Sequence, residues 1–170
     1  LAAEFFYLKQ NMTDCIKRGH ISTRLPKDAV EVVMKVATRK ENNVVYAGYG
    51  YTAFVPEVGF VTNGGARSKE YKKVWYDCMK DILDCVPKKS TVLIHARYWN
   101  FVTAFVCDHP LPNDTEKERK WREKVISLCE KKEIRLFMHF LRGECDETEK
   151  MAGKIAAKKM NEEYEKNLEK

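Results

Sequence analysis

The sequence predicts an α/β domain in which three antiparallel strands precede two parallel ones, with helices on the flanks. Three observations carry that expectation. The run AVEVVMKVAT alternates Val30, Val32, Met34 and Val36 against Glu31, Val33, Lys35 and Ala37, with β-branched residues on both faces, as a central strand does. Two further strand-like runs, VVYAGYGYTAF and VGFVTN, follow within hairpin distance. After them a helix and then a buried apolar strand imply a right-handed crossover.

With 170 residues and 44% hydrophobic content, the chain has apolar mass for one core and too little length for two. The domain is expected over residues 28 to 170, preceded by an N-terminal helix and linker over 1 to 27. Leu1, Phe5, Leu8, Met12, Cys15 and Ile16 recur at helix spacing to about residue 18, and Gly19 is a stop. The net charge of +6 permits nucleic acid or an acidic surface as partner without demanding it. No window approaches the ~20 apolar residues of a membrane span. The sequence starts at Leu1 rather than Met, and LAAEFFYLKQNMTDCIKRGH holds neither a charged leader nor a long apolar core. The expectation is a soluble domain of a longer parent chain, intracellular on the reading of its cysteines. The six cysteines read as reduced thiols.

Each element has its local reason. RKENN (39–43) is a polar turn, and Gly48 and Gly50 inside the second strand mark a bulge or a place where another backbone or a ligand comes close. Pro56 and Glu57 make the next turn. Gly64 and Gly65 open a helical unit that Ser68 can cap, with Tyr71, Val74, Trp75, Cys78, Ile82 and Cys85 on one stripe. TVLIHA reads as a buried parallel strand, and RYWNFVTAFV as a short helix. Asp114 or Thr115 caps a charged helix with Trp121, Val125, Leu128 and Cys129 as its apolar stripe. IRLFMHF is the fifth strand, and from Thr148 a helix runs to the end with Met151, Ile155 and Met160 on one face.

This order, together with KENNVVYAGYGYTAF and IRLFMHFLRGECDETEKMAGKIAAKKM, resembles the ribonuclease H family over residues 28 to 160. The resemblance implies a five-stranded mixed sheet of the ribonuclease H-like type. It also implies an activity: the family cuts the RNA strand of RNA–DNA hybrids with two divalent metals held by four carboxylates. At the matching positions this chain has Lys35, then Glu70 as a tolerable match, then Arg97 beside His95 and Ala96, and finally Gly153. The expectation is therefore a catalytically inactive domain without a cofactor. Magnesium or manganese would enter only through a relocated site built from Glu31, Glu41, Asp146, Glu147 or Glu149, and these read as ordinary solvated acids. Lys35 and Arg97 should lie side by side at the ends of neighbouring parallel strands, with Glu70 or a bound anion between them.

Other chemistries find no pattern. His20, His95, His109 and His139 have no CxxC partner or HExxH spacing, and Cys107 with His109 supplies two of the four ligands a structural zinc needs. No P-loop, GxSxG element or dinucleotide fingerprint is present. Cations gather at Lys69, Lys72 and Lys73, along Lys117, Arg119, Lys120, Arg122 and Lys124, and at Arg142. With Lys35 and Arg97, the first three and Arg142 are the candidate contacts for RNA or an RNA–DNA hybrid. The alternative is a protein-interaction domain whose groove is closed and whose charged helices are solvated.

Overall fold

The computed structural model describes residues 28–106 and 113–169, together with two short strands, β1 (Phe5–Phe6) and β2 (Ile16–Lys17). The central strand β3 (Val30–Glu41) and β4 (Val44–Val55) form a long hairpin closed at Asn42 and Asn43, with φ of 50° and 63°. That two-residue, left-handed turn suits Asn and matches the twist of the strands. It lets β3 run four residues beyond Ala37, through most of the segment expected as a turn. The third strand, β5 (Gly59–Arg67), continues through Gly64 and Gly65 instead of ending before them.

The chain then forms a 3-10 turn (Tyr71–Lys73), α1 (Val74–Cys85), β6 (Thr91–Ala96), α2 (Trp99–Val106), α3 (Glu116–Lys132), β7 (Arg135–Phe140) and α4 (Glu147–Leu168). The sheet order is β1-β7-β6-β3-β4-β5, with β2 also on β7. β3 is central, antiparallel to β4 and parallel to β6, with Val33 opposite His95. The expected five-stranded mixed sheet is thus present. The helix expected from residue 1 to about 18 is corrected at its described residues, because Phe5–Phe6 pairs antiparallel and Ile16–Lys17 parallel with β7. Aromatic and β-branched residues suit that edge, whose backbone groups would otherwise lack partners. The rest of residues 1–27, with Cys15 and His20, and the segment 107–112 with Cys107 and His109, lie outside the described residues.

One face of the sheet carries α1, which buries Val74, Tyr76, Cys78, Met79, Ile82 and Leu83, whereas Cys85 is exposed. Asp81 ties α1 to the sheet by accepting from Tyr49 Oη at 2.9 Å, Tyr51 Oη at 3.1 Å and Asn63 Nδ2 at 3.3 Å. Burial and the Asp81 carboxylate push both tyrosine hydroxyls far up in pKa. Ser68 does not cap the helical unit: its hydroxyl meets Glu163 at 3.4 Å, and Glu70 precedes the 3-10 turn. Thr115 does cap α3, in a capping box with Glu118.

The opposite face carries α4, and here small residues meet. Ala152 and Ala156 are fully buried, and a Cβ on Gly50 or Gly48 would collide with their carbonyls. The glycines therefore mark a close approach of helix backbone to sheet, as expected of them. The expected helix stripe holds at Ile155, whose side chain a Cβ on Gly50 or Gly64 would meet, and fails at Met151. Met151 is 44% exposed, since the contact is made through alanines that a search for bulky apolar residues passes over.

Candidate functional site

The parallel register of β3 with β6 puts Lys35 and Arg97 on the same face, one pleat beyond Val33 and His95, where the pairing of the two strands ends. Arg97 directly follows β6, whereas Lys35 lies in the middle of β3, which runs on to Glu41, and not at the strand end expected. They converge on one acid, Glu149. Lys35 Nζ donates to Glu149 Oε2 at 3.0 Å, and Arg97 grips both carboxylate oxygens, through Nε to Oε2 and through Nη2 to Oε1 at 2.8 Å. The carboxylate side chain is 3% exposed, against 28% for Lys35 and 31% for Arg97. A carboxylate in such a place is stable only when its charge and lone pairs are met.

Position explains the acid. Asp146 caps α4, its side chain accepting from the Glu149 N–H at 2.8 Å, so Glu149 lies in the first helical turn, where the helix dipole favours a negative charge. Burial alone would raise its carboxyl pKa. Hydrogen bonds from Arg97, Lys35 and Cys145, with the charge of Lys35, outweigh burial and hold it at about 2. Gly153 is four residues further on, on the same helix face. A Cβ there would meet only the Lys35 Cε, at an ordinary 3.8 Å, so the glycine leaves the lysine stem its path.

Three of the four positions singled out in the sequence, Lys35, Arg97 and Gly153, are thus brought together. The fourth is corrected. Glu70 lies ahead of the 3-10 turn, its side chain 46% exposed and 3.3 Å from Lys117, not between the two cations. From α1 it is Trp75 that reaches the two cations: with Met34, Lys35, Val36, Ala96, Arg97 and Tyr98 it lines a pocket of about 100 Å³. The reading of Glu149 as a solvated acid is likewise corrected. The other acids weighed for a relocated site stay apart, with Glu41 on Arg39, Glu147 on Lys150 and Asp146 used as a cap. Among the described residues, no three His, Cys, Asp or Glu side chains assemble as a metal ion would need. One carboxylate clamped by two cations does not fit a pair of divalent metals.

A groove of about 480 Å³ continues from this pocket, sharing Trp75 and Tyr98 with it and running past Tyr71, Lys72 and Arg122. Its cations are matched by acids. Lys72 meets Glu118 at 3.9 Å and Arg122 is bidentate to Asp114 with contacts of 3.2 and 2.6 Å, while outside the groove Lys117 meets Glu70. Arg122 also donates to Tyr76 Oη at 3.3 Å, although burial still carries that hydroxyl up to about 12. Among the described residues, Lys69, Lys73 and Arg142 make no ion pair; Arg142 lies 5.6 Å over the Phe140 ring. The proposed contacts therefore divide between a neutralised centre and an outlying few.

Beside the Glu149 cluster, His95 and His139 face each other across β6 and β7, their Nδ1 atoms 2.6 Å apart, so that one ring donates and the other accepts. Burial and the neighbouring ring pull His95 down to about 4 against the opposing pull of Asp146, and burial lowers His139 as well.

No protein-family model matches the sequence, and no curated protein matches it. Solved structures do. LC9-RNase H1, described as a type 1 RNase H with the type 2 active-site motif, superposes with a TM-score of 0.63 at 8% identity, covering 83% of this chain and 76% of that one. RNase H1 from the halophilic archaeon Halobacterium salinarum NRC-1 gives 0.60 at 13% identity, covering 79% and 98%. LC11-RNase H1, isolated from compost by a metagenomic approach and solved with an RNA/DNA hybrid, gives 0.53 at 10%, covering 78% and 97%. With the observed strand order, these likenesses establish that the chain has the ribonuclease H-like fold.

Proposed function

We propose that this chain is a catalytically silent ribonuclease H-like domain of a larger protein, serving as a nucleic-acid-binding or tethering module. One observation carries the silence: the positions where the fold would gather metal-binding carboxylates hold Lys35 and Arg97 locked on Glu149. Magnesium keeps its waters unless charge-dense oxygen ligands displace them, and a single carboxylate already neutralised by two cations supplies none of that density. Support for binding is the fold itself, which in LC11-RNase H1 holds an RNA/DNA hybrid, together with the net positive charge. Lys69, Lys73 and Arg142 are the cations best placed to meet phosphate, since Lys35 and Arg97 are engaged.

The test has two parts. Incubation of an RNA–DNA hybrid with the protein and either magnesium or manganese should leave the hybrid intact, and metal-dependent cleavage abolished by Glu149→Gln would overturn the silent reading. Binding of labelled hybrid and single strand should weaken as salt rises, by roughly 0.7 to 0.9 log units per log unit of salt for each phosphate neutralised.

A second reading, a protein-interaction domain, is favoured by a separate feature. Phe54 and Phe60, opposite each other on β4 and β5, are 60% and 54% exposed, and Val58 at the intervening turn is 70% exposed. Absence of any nucleic-acid binding at low salt would leave that apolar hairpin as the functional surface.

A further inference from the structure

At the edge of the sheet where β6 hands over to α2, three consecutive residues point to three different tasks. Arg97 turns in to Glu149. Tyr98 leans on Trp75 of α1, with ring centroids 5.1 Å apart and tilted by 37°. Trp99 meets Phe140 at the end of β7 edge-on, at 5.0 Å. The result is a strip of four aromatic side chains across the ends of α1, β6 and β7, ending at Arg142 over the Phe140 ring. Two of them are far from buried: Tyr98 is 46% and Trp99 43% exposed. The exposed aromatic side chains of the sheet, Phe54 and Phe60, lie on the β4–β5 hairpin beside the start of β3, away from this edge.

We infer that this strip binds single-stranded nucleic acid through unpaired bases stacked on Tyr98 and Trp99, with a backbone phosphate at Arg142. The inference rests on the nucleic-acid reading above and narrows it. Inside a duplex every base face is already covered by its neighbours, so exposed aromatic faces gain nothing from a paired ligand, whereas a single strand offers a planar face at each nucleotide. Charge points the same way. A duplex is held chiefly by cations on its phosphates, yet the cations of the adjoining groove, Lys72 and Arg122, are matched by Glu118 and Asp114, Lys117 outside it meets Glu70, and Lys35 and Arg97 share Glu149. What remains suits a ligand held by stacking and anchored by one or two phosphates. Asn100 and Thr38 on the groove wall can hydrogen-bond the edges of an unpaired base.

The experiment is fluorescence anisotropy with labelled single strands of about 12 nucleotides, within the range of stacking-type sites, against hybrid and duplex of the same sequence. The single strand should bind at least about tenfold tighter than either duplex, with a salt slope no steeper than about −1.4, the value for two phosphates on a single strand. Tyr98→Ala and Trp99→Ala should each weaken binding by about 5- to 150-fold, the worth of one stacked base. Tyr98→Phe, which keeps the ring, should bind like the parent. Circular dichroism confirms that each variant is folded, and Tyr98 is exposed enough to be replaced without emptying the core. Duplex binding equal to or tighter than single-strand binding, or indifference to Tyr98→Ala, overturns this inference while leaving the nucleic-acid reading in place. Displacement of the strand by a mononucleotide at equal nucleotide concentration also overturns it, in favour of a nucleotide pocket. Failure of the folded protein to bind any nucleic acid overturns both.

Discussion

Two buried polar clusters lie next to each other on one face of the sheet, one pleat apart along β6, and burial moves their chemistry in opposite ways. Arg97 and Lys35 surround Glu149 with positive charge, and the carboxyl, which burial alone would keep protonated, stays ionised down to about pH 2. His95 and His139 have each other, with Asp146 near His95, and burial strips them of charge instead. The lesson is that desolvation sets only a penalty on charge. Whether the group keeps its charge depends on the partner the fold supplies.

The largest expected effect separates the clusters by mutation. Glu149→Gln leaves Lys35 and Arg97 facing each other with no counter-charge, and breaking such a pair costs about 3–5 kcal/mol. His95→Leu removes a neutral ring and one hydrogen bond, worth about 1 kcal/mol. Urea denaturation of the two variants checks this. Equal losses would mean that the Glu149 pairing is a surface contact in solution, not a buried one.

Acid should divide them next, in two windows. His95 binds its proton at about pH 4 in the folded state against 6.5 for the unconstrained ring. The unfolded chain therefore takes up that proton first, and stability falls as pH drops from about 6.5 to about 4. Glu149 is depressed from 4.5 to about 2, so the stability of its ionised form is complete above 4.5 and is lost as pH falls from there to about 2. Each proton contributes a slope of up to about 1.4 kcal/mol per pH unit within its window. Unfolding free energies from pH 2 to 8 should show both declines, with the upper one shallower in His95→Leu, where the buried His139 alone still resists protonation. A flat profile between 6.5 and 4 in the parent chain would show that the histidines are open to water.

The smallest effect concerns the residue that joins the Glu149 cluster to its helix. Gly153→Ala adds only a methyl in ordinary contact with Lys35, and it replaces a poor helix former inside α4. It should stabilise by about 0.5–1 kcal/mol, read as a rise in melting temperature. Destabilisation would mean that Lys35 needs that space to reach Glu149.

Much of this was legible in the residues. Period-two alternation placed β3 and fixed its facing pattern; the resemblance to ribonuclease H sequences picked out Lys35 and Arg97, and the parallel register of β3 with β6 brings them to one side. Glu149 was harder, because an acid shortly after a loop at a helix start looks solvated. Its signal was relative: Glu149 and Gly153 are four apart, so any helix that brings Gly153 to the site brings Glu149 with it. Glu70 misled because distance along the sequence from the helix start fitted, whereas the left-handed Glu70 at φ 49° delays the helix and hands the inward position to Trp75. At the N-terminus, a helix-like spacing of Phe5 and Ile16 could not reveal an open strand edge on β7, since that edge exists only once the sheet is assembled.

The joint hold of Lys35 and Arg97 on Glu149 also constrains how this chain can change over generations. Lys35→Asp alone would set two carboxylates against a single guanidinium, and Arg97→Asp alone would leave them to a single ammonium. Loss of Glu149 strands both cations. Each solitary step away from the present arrangement therefore lowers fitness through folding before it can offer any new chemistry, and the three positions can drift only as a set. In that sense the site is epistatically locked: a return to an acid-rich cleft would have to pass through coordinated substitutions in β3, after β6 and in α4, three stretches that together span more than half of the chain.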